Sequence, residues 1–295
     1  VIECVPNLSE GRNLDTVERI ADVVRNEGCH VLDIHVDADH NRSVLTIVGA
    51  HEDVVRGIVS MVEAAIPLID MRRHEGVHPR IGAVDVVPFV PLQSSSLVQC
   101  AAAAKEAGAA IGETLEIPVY LYEAAATRAE FRNLADVRRG GLRGLTERIE
   151  SGAGLPDFGP AHAHPTAGAV AVGARDFLVA YNVNLETDDL SVARAIASAI
   201  RAASDGLPGV KALGIPLRSR GLVQVSMNLT DVEATSVAEA FGRVAELADW
   251  HGVRILESEI VGLAPRVALR EATTEELLLT RDLADLVLEE RIEAR

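Results

Sequence analysis

Aromatic residues make up only 3% of this 295-residue sequence: one Trp, three Tyr and five Phe. Its core must therefore be assembled from Val, Ile, Leu and Ala, and a hydrophobic fraction of 48% supplies them. Cysteine is equally scarce. Cys4, Cys29 and Cys100 are an odd number, far apart, with no CxxC spacing. A disulfide framework and a zinc site are both poorly supported, and buried reduced thiols in a cytoplasmic protein are expected instead. No apolar run approaches the roughly 20 residues that span a bilayer. Glu3 inside the first apolar segment, with no basic lead-in, argues against a signal peptide. Glycine-rich dinucleotide and phosphate loops are absent, as are GxSxG and HExxH, so no nucleotide or nicotinamide cofactor is expected.

What is present is negative charge. A formal net charge of −16 argues against non-specific nucleic-acid binding, which needs a broad basic face. An acidic protein that binds an anion must concentrate positive charge locally, so any basic cluster is informative here.

Hydrophobic periodicity predicts strands at 1–6, 30–36, 43–48, 84–90 and 118–122, with helices from residue 13 or 14 to Gly28, over 52–71 and over 95–115. Residues 128–151 read as polar and helical. Residues 152–168, rich in Gly, Pro, Ala and His, read as an ordered loop or a linker. The second half repeats the first: strand 177–184, helix 190–203, strands 210–216 and 222–227, helix 232–250, strand 253–261. A final helix is expected over 274–292. Each half can be written β-α-β-β-α-β, so the fold class expected is α/β (α+β), with two ferredoxin-like subdomains at 1–174 and 175–295 and helices outside the sheets. Cys4-Val-Pro-Asn-Leu faintly matches Tyr181-Asn-Val-Asn-Leu, each at a strand leading to a helix, which suggests an internal duplication.

Three polar clusters stand out. The densest is Asp70-Met-Arg-Arg-His-Glu-Gly-Val-His-Pro-Arg80-Ile-Gly, which sets Arg72, Arg73, His74, His78 and Arg80 against Asp70 and Glu75. Guanidinium groups offer forked, always-charged donors to carboxylates, and an imidazole trades protons near neutrality. The plainer reading is a solvated loop. The second cluster is Asp37-Ala-Asp-His-Asn-Arg42. It suits a turn, a pair of substrate donors (Asn41, Arg42), or a metal site using His35, Asp37, Asp39 and His40, although no third, distant ligand is evident. The third, Asp157-Phe-Gly-Pro-Ala-His-Ala-His-Pro-Thr-Ala-Gly168, allows a ligand close approach to backbone but equally suits a domain linker; His162 and His164 alone are a weak metal pattern.

Taken together the sequence resembles the formiminotransferase family. The matching stretches are Cys4-Val-Pro-Asn-Leu-Ser-Glu-Gly11, Asn41-Arg-Ser-Val44, Gly76-Val-His-Pro-Arg-Ile-Gly-Ala-Val-Asp85, Pro88-Phe-Val-Pro91, Pro118-Val-Tyr-Leu-Tyr122, Pro156-Asp-Phe-Gly-Pro160, Gly173-Ala-Arg175, Asn182-Val-Asn-Leu185, Gln224-Val-Ser-Met-Asn-Leu229 and Val261-Gly-Leu-Ala-Pro265. They run in family order to about residue 270, and as a set they are specific. The resemblance implies two α/β halves, usually in a homodimer, with folate held in a groove or tunnel between the halves. It implies transfer of a formimidoyl group from N-formimidoyl-L-glutamate to tetrahydrofolate, the latter as co-substrate, with no metal. The family's catalytic histidine maps onto His78. Its folate-contacting loop maps without gaps onto Gly159, Pro160, Ala161, His162, Ala163, His164, Pro165, Thr166, Ala167 and Gly168. Here the sequence departs from the mammalian enzymes, whose stretch is bulkier and contains an aromatic. Any cyclodeaminase step would fall to a separate protein.

On this reading His78 shuttles the proton, Arg80 and Arg42 bind carboxylates of formimidoylglutamate or of the folate tail, Asn41 donates to substrate, and Asp37 and Asp39 orient His78 or bond the pterin. The rivals are another folate activity on the same scaffold (5-formyltetrahydrofolate cyclo-ligation or formyl transfer), a non-catalytic binding module, and a structural metal protein.

Overall fold

Pro6 carries no N–H and breaks the first strand into β1 (Ile2–Cys4) and β2 (Asn7–Leu8). In the computed structural model, which describes residues 1–76 and 79–295, these lead into the first of two units, Val1–Asp176 and Phe177–Arg295.

Helix α1 (Leu14–Asn26) starts where the Asn13 side chain accepts the Thr16 N–H at 3.2 Å, and ends at Gly28, whose φ of 87° suits glycine. Its buried stripe, Val17, Ile20, Ala21 and Val24, follows the 3.6-residue period. Strands β3 (His30–Asp37) and β4 (Arg42–Gly49) form a hairpin with Asp37 opposite Arg42. Helix α2 (His51–Ala65) ends six residues before the expected Met71: Ile66 is still helical in conformation, but Pro67 has no N–H with which to continue the ladder. Then come β5 (Val84–Pro91), α3 (Leu97–Thr114) with a Ser96–Gln99 capping box, and β6 (Val119–Glu123). The polar stretch 128–151 holds α4 (Leu134–Val137) and α5 (Gly141–Glu150). Strand β7 (Val170–Ala174), not anticipated from the sequence, ends the unit.

The sheet order is β3-β4-(β1, β2)-β5-β7-β6. Its first four positions carry the ferredoxin-like order with antiparallel neighbours, and β7 and β6 extend it in parallel. Aliphatic side chains of α1, α2 and α3 cover one face. Tyr120, Tyr122, Phe131, Val137, Leu145 and Ile149 form a smaller core on the other face of the extension. The few aromatics are used here: Tyr120 and Phe131 meet edge to face at 5.5 Å, and Tyr120 donates its hydroxyl to Gly154 O at 2.7 Å.

The second unit comprises β8 (Val179–Leu185), α6 (Leu190–Ile200), β9 (Val210–Leu217), β10 (Leu222–Leu229), α7 (Val237–Trp250) and β11 (Ile255–Val261). Its antiparallel sheet runs β11-β8-β10-β9, the same order as the first four positions of the first unit. The Cys4–Leu8 and Tyr181–Leu185 stretches occupy equivalent strands, as a duplication predicts. The expected helix over 274–292 is replaced by a strap of turns that bonds to the second sheet. Ser258 N–H donates to Leu278 O at 2.8 Å, Thr280 N–H to Ser258 O at 3.1 Å, and Leu288 N–H to Ala264 O at 2.9 Å. A single 3-10 turn (Leu283–Leu286) and α8 (Leu288–Glu293) are helical towards its end. Bonding groups along the edge strand β11 outcompete the helical period, and Asp282 accepts the Ala284 N–H at 3.0 Å, turning the chain midway.

Gly82 is where the two site-bearing segments meet most closely. A Cβ there would lie 1.8 Å from Ala169 O, while Ala83 N–H donates to Ala167 O at 2.9 Å and Ala169 N–H to Ile81 O at 2.8 Å. Gly82→Ala is expected to lose at least about 3 kcal/mol in thermal unfolding, the upper end of overpacking costs. Gly242→Ala in α7, where nothing lies within 4 Å, should instead gain about 0.5–1 kcal/mol.

Candidate active site

Backbone contacts bring the three polar clusters to one place in the first unit. The β3–β4 turn packs on the 70–82 segment: a Cβ at Gly76 would lie 2.5 Å from His40 O, and Asn41 reaches across to Glu75 O at 3.1 Å. The 159–168 loop joins from the other side, with Met71 N–H donating to Thr166 O at 2.8 Å. His78 and its neighbour Val77 lie outside the described residues, so the catalytic expectation rests on the segments that flank them.

Asp37 and Asn41 are committed to the turn itself. Asp37 accepts the His40 N–H at 2.8 Å and bonds the buried His40 ring through its other oxygen. Burial pushes the Asp37 carboxyl up, but the His40 bonds and the charge of Arg42 outweigh it and hold the group well below the carboxylate range. Asn41, at a φ of 47° that Asn tolerates, accepts the Gly11 N–H at 3.0 Å and donates to His74 Nδ1 at 3.2 Å. That bond requires a bare Nδ1, and burial together with the Arg80 charge lowers the His74 pKa, in the direction the bond needs. Gly11 is held tightly as well: a Cβ on it would meet Asp37 O at 2.2 Å. Asp39 and Arg42 are half-buried in the same turn.

Arg80 is buried at 6% exposure and faces Asp85, itself at 0%, with Arg80 Nη1 3.5 Å from Asp85 Oδ2. A third group completes the arrangement. Arg138 Nη2 stands 3.0 Å from the same oxygen, and Asp85 Oδ1 accepts the Ile81 N–H at 2.7 Å. Burial lowers the Arg80 pKa to about 10; Asp85 opposes this, and Arg42 and Arg138 add to it. The group stays cationic at neutral pH. Asp85 ends one of the stretches that carry the family resemblance, but its link to Arg138 had no local signal, since Arg138 lies 59 residues from its other partner, Pro79.

The 159–168 loop is ordered by the residues before it. Asp157 accepts the Leu121 N–H at 2.8 Å and meets Arg128 Nη2 at 3.3 Å, and Phe158 seats on α3 where Gly112 lacks a side chain (a Cβ there would be 2.6 Å from Phe158 Cβ). Gly159, Ala161, His162 and Pro165 are exposed, Pro160, Ala163, His164 and Thr166 half-buried, and Ala167 and Gly168 buried. His164 closes the loop: its Nδ1 accepts the Thr166 N–H at 3.3 Å and the Ala167 N–H at 3.0 Å. Burial lowers its pKa, His162 adds to this and Glu116 opposes it. Among the described residues no three His, Cys, Asp or Glu side chains are grouped to hold a metal ion.

In the second unit, the matched Asn and Gln residues form a ladder on the sheet face away from the core. Gln224 donates to Asn184 at 3.0 Å, Asn184 to Glu257 at 2.9 Å, and Asn182 to Glu259 at 2.9 Å.

Family models for the formiminotransferase domain match both units, the N-terminal subdomain over residues 1–175 and the remaining domain over 180–292. The chain belongs to the formiminotransferase family. A glutamate formimidoyltransferase of Thermoplasma acidophilum is 43% identical, covering 99% of this chain and 97% of that one. One of Streptococcus pyogenes is 42% identical, covering 91% and 90%. The formimidoyltransferase-cyclodeaminase of Sus scrofa is 38% identical over 96% of this chain and 54% of its own length. Family membership thus extends over both halves of the fold.

Two outcomes test the local accounts. Asp37→Asn should cost about 1–3 kcal/mol, because it removes the charge from the bond to the buried His40 ring. Since the Asp37 carboxyl is held low, its contribution is complete above about pH 4 and is lost as pH falls below that, and denaturant unfolding of wild type against variant reads the difference. The His164 pKa is also depressed, so the loop bonds are intact above about pH 6.5 and weaken as pH falls below it. Faster amide exchange at Ala167 relative to a β5 amide on acidification is the expected sign.

Proposed function

We propose that the chain is a glutamate formimidoyltransferase, moving the formimidoyl group of N-formimidoyl-L-glutamate to nitrogen 5 of tetrahydrofolate. The observation that carries this reading is the near full-length likeness to two proteins bearing that name, at 43% and 42% identity. The convergence of the Asp37–Arg42 turn, the segments flanking His78 and the 159–168 loop supports it independently.

The chemistry is an amidine carbon passing between two amines. Nitrogen 5 attacks the formimidoyl carbon, a tetrahedral intermediate forms, and the glutamate nitrogen leaves. One proton leaves the attacking nitrogen and one reaches the departing nitrogen. A single imidazole, His78, performs both in turn, and such acid–base help is worth about 10²–10⁴ in rate. Arg80 and Arg42 take substrate carboxylates, and Asp39 stands at the rim of the same turn. The backbone of residues 159–168, with its exposed small residues, receives the pterin; the lack of a bulky side chain there favours close approach. Alignment of two substrates contributes several kcal/mol more. A cytoplasmic location and a homodimer belong to this reading through the family resemblance. So does a cyclodeaminase as consumer of the product, an activity that the name of the Sus scrofa relative joins to formimidoyltransfer.

The deciding assay offers purified protein formimidoylglutamate or 5-formyltetrahydrofolate, with and without ATP. ATP-independent transfer from formimidoylglutamate to tetrahydrofolate is expected, and ATP-dependent cyclisation alone would point to the rival folate activity. His78→Ala should lower kcat by about 10²–10⁴ with the fold intact; near-normal turnover would remove His78 from the shuttle. Arg80→Ala should raise the KM for formimidoylglutamate, and an unchanged KM would make Arg80 a purely structural residue.

A further inference from the structure

The Asp85 carboxylate is shared by two guanidinium groups, Arg138 Nη2 at 3.0 Å and Arg80 Nη1 at 3.5 Å. Two positive charges thus face one negative charge, and the carboxylate's other oxygen is taken by the Ile81 N–H at 2.7 Å. The Arg80 side chain is only 4% exposed, yet its Nε and Nη2 have no acceptor among the described residues, and neither has Arg138 Nε. Buried guanidinium N–H groups without acceptors are costly, and a surplus buried charge more so. A second anion would satisfy both.

The surplus is held in place by its own scaffolding. Arg148 donates to Arg139 O at 2.5 Å and to Val137 O at 2.7 Å, closing the turn between α4 and α5 on either side of Arg138. Gly140 and Gly141 have φ of 76° and 62°, and a Cβ on Gly141 would lie 3.3 Å from Arg80 O, so the turn rests on the Arg80 backbone. Arg138 also donates to Pro79 O at 2.6 Å. Arg138 is 22% exposed on its side chain, which gives the pair its access to solvent.

We infer that Arg138 joins Arg80 to form a carboxylate subsite over Asp85, whose occupant is a carboxylate of formimidoylglutamate or of the folate glutamate tail. The substrate assignment rests on the proposed transfer reaction; the subsite itself does not. Arg138 supplies the surplus charge at Asp85, which Arg80 alone would match one to one. Two fixed guanidinium forks also suit a planar carboxylate better than one flexible ammonium.

The test uses the full chain with Arg138→Gln, which retains an N–H for Pro79 O but removes the charge, and Arg138→Lys, which retains charge without the fork. Glutarate binding is measured by calorimetry, without tetrahydrofolate, and both KM values are measured by transfer assay. Wild type is expected to bind glutarate, R138Q to weaken it roughly tenfold or more, the scale of a charged hydrogen bond, and R138K to recover part of the loss. A matching rise in the KM for formimidoylglutamate alone assigns the subsite to that substrate, and a rise in the KM for tetrahydrofolate alone assigns it to the folate tail. Glutarate affinity that depends on Arg138 in a protein without transfer activity would sustain the subsite while removing the transfer reading. Folded R138Q or R138K with wild-type glutarate affinity and both KM values unchanged would overturn the proposal, as would wild type that binds no glutarate.

Discussion

One buried carboxylate organises the site-bearing part of this molecule. Asp85 sits at full burial in β5, and a charge so placed persists only with donors around it. The Ile81 N–H donates to it and the Arg80 and Arg138 guanidinium groups stand beside it, and they come from two segments: residues 80–81, just before β5, and the turn between α4 and α5. The short α4–α5 excursion thus does more than lend Val137, Leu145 and Ile149 to the smaller core. It closes over Pro79 and Arg80 and ties them to the strand.

The convergence of distant segments then depends on missing side chains. Gly11 against Asp37, Gly76 against His40, Gly82 against Ala169 and Gly112 against Phe158 are all contacts a methyl group would block. With backbones in direct contact, polar side chains in these segments are spent on one another, as Asn41 is on Gly11, His74 and Glu75. Arg80 and Arg138 differ: two guanidinium groups share the single Asp85 carboxylate, in a protein whose overall charge is −16.

Much of the fold was legible because alternation and 3.6-residue periodicity act locally. The β-α-β-β-α-β reading of each half holds in both sheets, since every strand of those motifs is bounded by a turn and long enough to show its pattern. Strand β7 was not legible: Val-Ala-Val-Gly-Ala is five small residues after a Gly- and Pro-rich loop, and its identity comes from lying between β5 and β6. The 274–292 segment misled for the opposite reason. Its leucines repeat at helical spacing, yet they seat on β11 as a strap, where Ser258 bonds both Leu278 and Thr280 through its backbone. At the site, the residue types that signal chemistry were visible in each loop, and the family resemblance singled out His78. Asn41 was readable as a substrate donor and Asp37 as a partner of His78 or the pterin, but their bonds within the turn were not, because a sequence does not reveal which polar groups the fold already satisfies. Arg138 could not be read at all, since its meaning lies in Asp85 and Pro79, both distant in the sequence.

The strap has one more bearing on the molecule. In the second unit β11 and β9 end the sheet, and each end is an invitation to further strands. At β9 the chain itself carries Lys211, Gly214 and Pro216, residues that make a poor template for pairing. At β11 the guard is the strap. Growth of this sheet into a neighbouring copy is thus refused by chemistry at one margin and by occupation at the other, which leaves it finite.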